Sequence, residues 1–426
     1  MNIQQTKDRL HSLSITNNQF HHMVHIPSTD ELDEFKKRSL SFFGLESQSS
    51  SKKPELTFTV KDIFNTELFP TEMGSKIWKG FNAGNNARVI SMALNAGHTF
   101  IGKTVTSEFA VHKQTNAINP WDSDRHVGTS SSGSAISVLL KECDYSLCTQ
   151  SGASISRPSS YLGIYGVKPT FGLVPRTGVL KTCDPFDTIG FMTKDISNSL
   201  EILRTISLTG NNYPKNKFIE DKDPTLCKVG YFDIEEITSV VNVSSSMASA
   251  YDRSILKLKD SGVNVLKVTI PDFVNSVHKS HEIIYSKSLE YYFKNELELT
   301  DDVSKSFKEF VQRGSVWSSD DFMKEQRNQL KNIRTFSSFM DQSNIDFILS
   351  PAVHGVAPLL EEEELNDLSL LWTYLHCPSV TIPVDKCEEY SLPLGLNLSA
   401  NRFNDINLIN FVNEYFSKRP YDFSII

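Results

Sequence analysis

Strand-like and helix-like segments alternate along this 426-residue chain, which predicts an α/β protein. The expected architecture is a single large domain with a mixed central β-sheet covered by helices on both faces. Three observations carry that expectation. Short β-branched and aromatic runs recur, as in "LTFTVKDIF" and "IDFILSPAV". Helix-period stretches such as "ARVISMALNAG" lie between them. A hydrophobic content of 39% with 22% charged residues is ordinary for a chain that buries a sizeable core.

Taken in order, the first fifty residues read as helical and polar, giving an N-terminal helical segment at 1–55 ahead of the main domain at 56–426. The run "ESQSSSKKPE" between them reads as an exposed loop. "LTFTVKDIF" alternates like a strand and carries Lys61 near its end. "ARVISMALNAGHTFIGKT" is a helix stopped at Gly97 and followed by a strand. "GSAISVLLKE" reads as a helix and "DYSLCTQSG" as a short strand. "GIYGVKPTFGLVPRTGVL" holds enough glycine and proline for a chain of tight turns around short strands. "KVGYFD" and "VNVLKVTI" are strands flanking the helix "SSSMASAYDRSILKLKDSG". From about Ser276 to Met340 the pattern is helical and highly charged, after which "IDFILSPAV" and "PSVTIPV" return to buried strands. There is no internal repeat.

Composition excludes several classes. A net charge of −8 gives no support to binding nucleic acid through overall charge. The six cysteines form no C-x-x-C pair, which argues against a disulfide scaffold and a structural zinc site and fits a reducing compartment. No apolar run reaches the roughly 18 residues needed to span a bilayer, and the first residues lack a signal-peptide core. The composition alone therefore points to a soluble intracellular protein without a membrane span. His21, His22 and His25 cluster, but in a polar segment with no matched carboxylate they read as a solvated helix face rather than a metal site.

Two serine-rich runs, "GTSSSGSAIS" at 128–137 and "CTQSGASISRPSS" at 148–160, raise the question of nucleophilic chemistry. A serine hydroxyl attacks only when a base takes its proton. None of the eleven histidines lies in a G-x-S-x-G elbow. Lysine is the other candidate, because burial in an apolar strand lowers its pKa toward neutrality. From the residues alone, Lys61 is either such a base or an edge-strand lysine pointing to water.

The segments "FTVKDIFNT", "GKTVTSEFA", "INPWD", "GTSSSGSA", "SGASISRPSSYLGIYGVKPTFGLVPRTGVL" and "FDTIGFM" occur in this order from about Leu56 to Met192. Together they resemble the amidase signature family, with a weaker match in "DFILSP", "PSVTIPV" and "LPLGLNLSA". The resemblance implies an amidase-signature fold and a Ser-cisSer-Lys triad: Lys61 as base, Ser130 in a cis peptide as relay, and Ser154 as nucleophile. It further implies an oxyanion hole of backbone N–H groups from Ser151, Gly152 and Ala153, extending to Ser154 itself. Ser156, Ser159 and Ser160 would be structural, and Ser131 and Ser132 would line the loop. Two positions depart from the family pattern: Gln150 stands for its Asp and Ser156 for its Arg, with Arg157 one position later.

Within the family, "GKTVTSEFA" and "NPWD" look most like the A-type chains of glutamyl-tRNA(Gln) amidotransferases, and the compact form resembles mitochondrial ones of fungal type. That likeness implies glutamine as substrate and a mitochondrial matrix location. It implies a B-type partner subunit and a small third subunit, with tRNA contacted mainly through the partner. It also implies no metal or cofactor bound by this chain, ATP and Mg being used by the partner. Gln150 and Asp367 are the substrate-binding candidates, Asp367 as the contact to the glutamine amino group. No arginine lies near Ser304 to Phe307, where a glutamine-recognising one is expected. "EEEELNDL" otherwise reads as a solvated helix start. A stand-alone amidase for small or acyl amides and a non-catalytic scaffold chain are the other readings.

Overall fold

The computed structural model describes residues 3–34, 55–111, 114–208, 222–298 and 302–418. Most of the expected loop "ESQSSSKKPE" lies outside the described residues. Eleven strands form one sheet: β1 (Met23–His25), β2 (Thr57–Lys61), β3 (Thr99–Thr104), β4 (Tyr145–Gln150), β5 (Tyr165–Lys168), β6 (Thr188–Thr193), β7 (Lys228–Tyr231), β8 (Asn264–Lys267), β9 (Phe347–Pro351), β10 (Ser379–Lys386) and β11 (Pro393–Ala400). Their spatial order is β1-β3-β2-β4-β6-β5-β10-β11-β9-β7-β8. β2 runs parallel to β3 and β4, and β7 parallel to β8 and β9, while the remaining pairs are antiparallel.

Consecutive residues of the central strands feed two different cores, because side chains alternate across a sheet. Phe100, Leu147 and Phe191 join one; their neighbours Ile101, Cys148 and Met192 join the other. The second core takes the buried faces of α1 (Ile3–Phe20), α2 (Ser132–Leu139) and α3 (Ser156–Leu162). A helical lobe covers the first. It is built from α4 (Val277–Glu298), α5 (Lys305–Gln312) and α6 (Ser319–Gln342), with the short α7 (Ser369–Tyr374) beside it.

Two elements differ from the sequence-based expectation. The histidines do not form a solvated helix face: α1 ends at Phe20, the chain turns at His21 with φ 50°, and Met23–His25 pairs antiparallel with β3. His22 is buried with its Nε2 2.7 Å from Glu142 Oε2, and His25 stacks on Phe69. The acidic run at 361–366 is not a helix start either; it is irregular chain leading into α7.

The motifs around the sheet are linked by charge. Lys103 Nζ of "GKT" lies 2.7 Å from Asp62 Oδ1 of "VKD", with both side chains almost fully buried. It also donates to Pro70 O (2.7 Å) and Thr71 Oγ1 (2.9 Å), so its three protons all have acceptors. Removing one member of a buried pair leaves an uncompensated charge, typically at about 3–5 kcal/mol. Lys103→Met is therefore expected to lower stability by about that amount in urea denaturation. Combining it with Asp62→Leu is expected to recover most of the loss.

Candidate active site

Parallel pairing of β2 with β4 puts their C-terminal ends side by side, with Val60 opposite Leu147. That register settles the two readings of Lys61. β2 lies between β3 and β4 rather than at an edge, and Lys61 is fully buried. Its Nζ donates to Ser130 Oγ at 2.9 Å and to Thr149 Oγ1 at 3.4 Å. Burial, opposed only in part by Cys148 and Asp187, lowers its pKa to about 7. A lysine in that state accepts a proton at neutral pH.

Ser130 sits in the single turn Thr129–Ser131 that leads into α2. Gly128 starts the turn at φ 95°, and a Cβ there would lie 2.7 Å from Pro158 N, so only glycine fits. The expected cis peptide at Ser130 is absent: among the described residues every peptide bond is trans. The glycine reversal and the 3-10 turn aim Ser130 at Lys61 without it.

The segment after β4 carries Ser151 to Ser154, all of which line a cavity of about 580 Å³ together with Ser130. Lys61 lies behind Ser130 and outside this lining. Three successive carbonyls of the segment are already taken. His281 Nε2–H donates to Ser151 O at 2.7 Å, Thr373 Oγ1–H to Gly152 O at 2.7 Å, and the Arg157 N–H to Ala153 O at 2.8 Å. The N–H groups of Gly152, Ala153 and Ser154 have no acceptor among the described residues. Unspent donors held from behind are what a developing oxyanion requires. Ser154 is half-buried, and its hydroxyl makes no hydrogen bond among the described residues, so the Lys61–Ser130 contact is formed and a Ser130–Ser154 contact is not. Catalytic hydrogen bonds often close only around substrate.

Gln150 is not in the cavity lining. It is fully buried, its Oε1 accepting from the N–H groups of Ile155 (2.8 Å) and Ser156 (3.0 Å) and its Nε2 donating to Thr373 Oγ1 (2.9 Å). Its part is to hold the segment, since every polar atom of its side chain that could meet a substrate is already bonded. Asp367 does reach the cavity, but its Oδ2 accepts from Arg157 Nε and Nη2 at 3.1 and 2.8 Å. Arg157 Nη1 also donates to Glu364 at 2.9 Å. Burial alone would disfavour the Arg157 charge; Glu364 and Asp367 outweigh it and hold the guanidinium above its ordinary range. Asp367 Oδ1 is buried and without a hydrogen bond. The arginine that follows the nucleophile thus pairs with the acidic 361–367 run, not with position 150.

Several residues of the site carry no mark in the sequence. His281, on α4, stacks on Phe186 with ring centroids 4.5 Å apart; burial lowers its pKa to about 4, which keeps it neutral. Arg313, just past α5, lines the cavity with its guanidinium 4.3 Å from the centre of the Phe310 ring. Nothing in the chain near His281, Thr373 or Arg313 distinguishes them, because folding alone brings them to the loop. Asp187 accepts from the Ser151 and Thr182 hydroxyls and from the N–H groups of Thr182 and Cys183. It belongs to the motif "FDTIGFM", so for this residue a signal was present.

A buried lysine bonded to one serine, with a second serine beside unspent N–H donors, is equipped for acyl transfer through serine with lysine as base. The amidase family profile matches residues 55–409, and the chain belongs to that family. Among curated relatives, the glutamyl-tRNA(Gln) amidotransferase A chain of Prochlorococcus marinus (strain NATL2A) is 27% identical over 406 residues, covering 84% of this chain and 82% of that protein. The protein of the same name from Lactobacillus acidophilus is 26% identical, covering 87% of each chain. Among solved structures, the corresponding amidotransferase chain of Thermotoga maritima superposes with TM-score 0.76 at 21% identity, covering 99% of this chain and 95% of that one. The peptide amidase of Stenotrophomonas maltophilia gives TM-score 0.79 at 19% identity, with the same two coverages. These two structures share the fold.

Keeping Lys61 neutral in the folded chain has a thermodynamic signature. Its folded pKa lies below the unfolded value, so between about pH 7 and pH 10.5 the unfolded chain binds more protons. The penalty of burying Lys61 is full below about pH 7 and fades as pH rises toward the unfolded pKa. Lys61→Met is expected to stabilise the fold at pH 7 by a few kcal/mol, with the advantage shrinking toward pH 10. Denaturant midpoints at both pH values check it.

Proposed function

We propose that this chain is the glutaminase subunit of a glutamyl-tRNA(Gln) amidotransferase, releasing ammonia from glutamine for use by a partner. The observation that carries the catalytic part is the pairing of buried Lys61 with Ser130 at the rim of the cavity that holds Ser154 and its unspent N–H donors. Neutral Lys61 takes the proton of Ser130 Oγ, which takes that of Ser154 Oγ as Ser154 attacks the amide carbon. The N–H groups of the 151–154 segment receive the oxyanion, with Ser151 included in the proposed hole. Collapse breaks the C–N bond, the proton returns through Ser130 to the leaving nitrogen, and ammonia departs. Water then attacks the acyl-enzyme by the same route in reverse.

For glutamine in particular, the cavity offers two ends of opposite charge. Asp367 Oδ1 is a buried carboxylate oxygen without a hydrogen bond, suited to an ammonium group, and Arg313 is a cation for a carboxylate. Arg313 would supply the charge that the 304–307 stretch lacks. The names of the relatives support the same substrate and a B-type partner, with the small third subunit, the tRNA contact, ATP and Mg assigned to the remainder of the complex. Among the described residues no helix is long and apolar enough to cross a membrane. A mitochondrial matrix location follows from the compact, divergent form, and organelle fractionation of the tagged chain tests it.

Ser154→Ala is expected to leave less than about a hundredth of the amide hydrolysis, with an unchanged melting temperature. Lys61→Arg is expected to be as damaging as Lys61→Ala, because a guanidinium does not give up its proton. Activity of the native chain requires neutral Lys61, so kcat/KM falls as pH drops through about 7. A profile flat down to pH 5 would remove lysine as the base.

Glutamine turnover is expected to be low for the chain alone and to rise on assembly with a B-type partner, measured at matched concentration. Equal rates in both preparations, or preference for a bulky acyl amide, would instead assign a stand-alone amidase.

A further inference from the structure

Gln150, standing where the family has Asp, gives a direction to the hydrogen bonds behind the oxyanion hole. Its amide can sit only one way round. Two backbone N–H groups, from Ile155 and Ser156, point at one end, and both can only donate. Oε1 must lie there, so Nε2 faces Thr373 Oγ1 at 2.9 Å and must donate to it. A threonine hydroxyl has a single hydrogen. With its oxygen accepting from Gln150, Thr373 is free to donate that hydrogen to Gly152 O at 2.7 Å. A carboxylate at 150 only accepts. It would draw the Thr373 hydrogen to itself and leave Gly152 O without this donor.

We infer that Gln150 and Thr373 form a one-way donor chain that holds the Gly152 carbonyl away from the cavity and thereby sets the N–H donors of the oxyanion hole. Both are positioning residues, since neither touches the reacting atoms: Gln150 is outside the cavity lining, and Thr373 reaches the loop from α7, more than two hundred residues away. The inference rests on the reading of Ser154 as nucleophile.

The test uses the full chain, with its partner subunits where glutamine turnover needs them, and two readouts. One is kcat and KM for glutamine. The other is the rate at which a fluorophosphonate labels Ser154, located by mass spectrometry, since its phosphoryl oxygen also occupies an oxyanion hole. Gln150→Glu keeps shape and both backbone bonds while abolishing the donor. Thr373→Val keeps shape and removes the hydroxyl. Each is expected to lower kcat and the labelling rate about tenfold or more, with KM within about threefold, as expected when oxyanion-hole donors are displaced. Thr373→Ser is expected to stay within about threefold of the native chain. The double variant Gln150→Glu/Thr373→Val is expected to be no worse than Thr373→Val, because the two act through one bond.

Native-like kcat and labelling in Gln150→Glu and Thr373→Val, while Ser154→Ala abolishes both, would overturn the donor chain and leave the nucleophile standing. Multiplying effects in the double variant would overturn it too. Should Thr373→Val not fold, Gln150→Glu against Thr373→Ser decides. Absence of label on Ser154 in the native chain, with Ser154→Ala fully active, would overturn the nucleophile and the donor chain together.

Discussion

Everything at this site depends on keeping one lysine dry. Lys61 could be an ordinary surface cation; it becomes a base because β3 and β4 flank its strand and because Ser130 stands between it and the cavity. Desolvation disfavours the ammonium form, and the pull of the Asp187 carboxylate is too weak to restore it. The same sheet buries a second lysine, Lys103, to the opposite end. There Asp62 and two further oxygens surround the nitrogen, and the residue serves as a tie between loops. Two lysines on neighbouring parallel strands thus differ in chemistry through the presence or absence of a carboxylate at bonding distance.

The nucleophile segment shows how donors are kept available without contact to them from the front. Its carbonyls are held by His281 from the helical lobe, by Thr373 from α7 and by the first turn of α3. Asp187 anchors Ser151. A peptide unit is rigid, so fixing its oxygen fixes the direction of the N–H on the opposite side. The loop therefore owes its shape to groups that never meet substrate, and His281 suits this role because burial keeps it neutral in a region with few compensating charges.

The departures from the family motif form a consistent set. An Asp and an Arg are absent from positions 150 and 156, so neither is left as a stranded charge. Gln150 satisfies the start of α3 as a neutral acceptor, and Ser156 is buried beside it. Arg157 turns instead to Glu364 and Asp367, which draws the acidic 361–367 run into the cavity wall. A substitution that looks disabling when a motif is matched letter by letter is electrostatically balanced once its partners are in view.

Most strands and helices were legible in the sequence because they depend on local periodicity: β2, β4, β9 and the long charged helices lie where alternation and helix-period patterns put them. Ser130 and Ser154 were placed by motif, which is also a local property. β1 was not legible, since three residues carry no period and only pairing with β3 makes them a strand. Nor was the fate of the acidic run, read as solvated until Arg157 gives it a buried partner. Sequence alone left Lys61 open between base and surface cation, because burial is decided by which strands lie on either side. His281, Thr373 and Arg313 reach the site across more than a hundred residues of chain. A chain's local chemistry determines which groups are present and how each segment tends to fold; the tertiary structure decides which of them are dry and which are paired, and those two conditions set proton affinity and donor direction here.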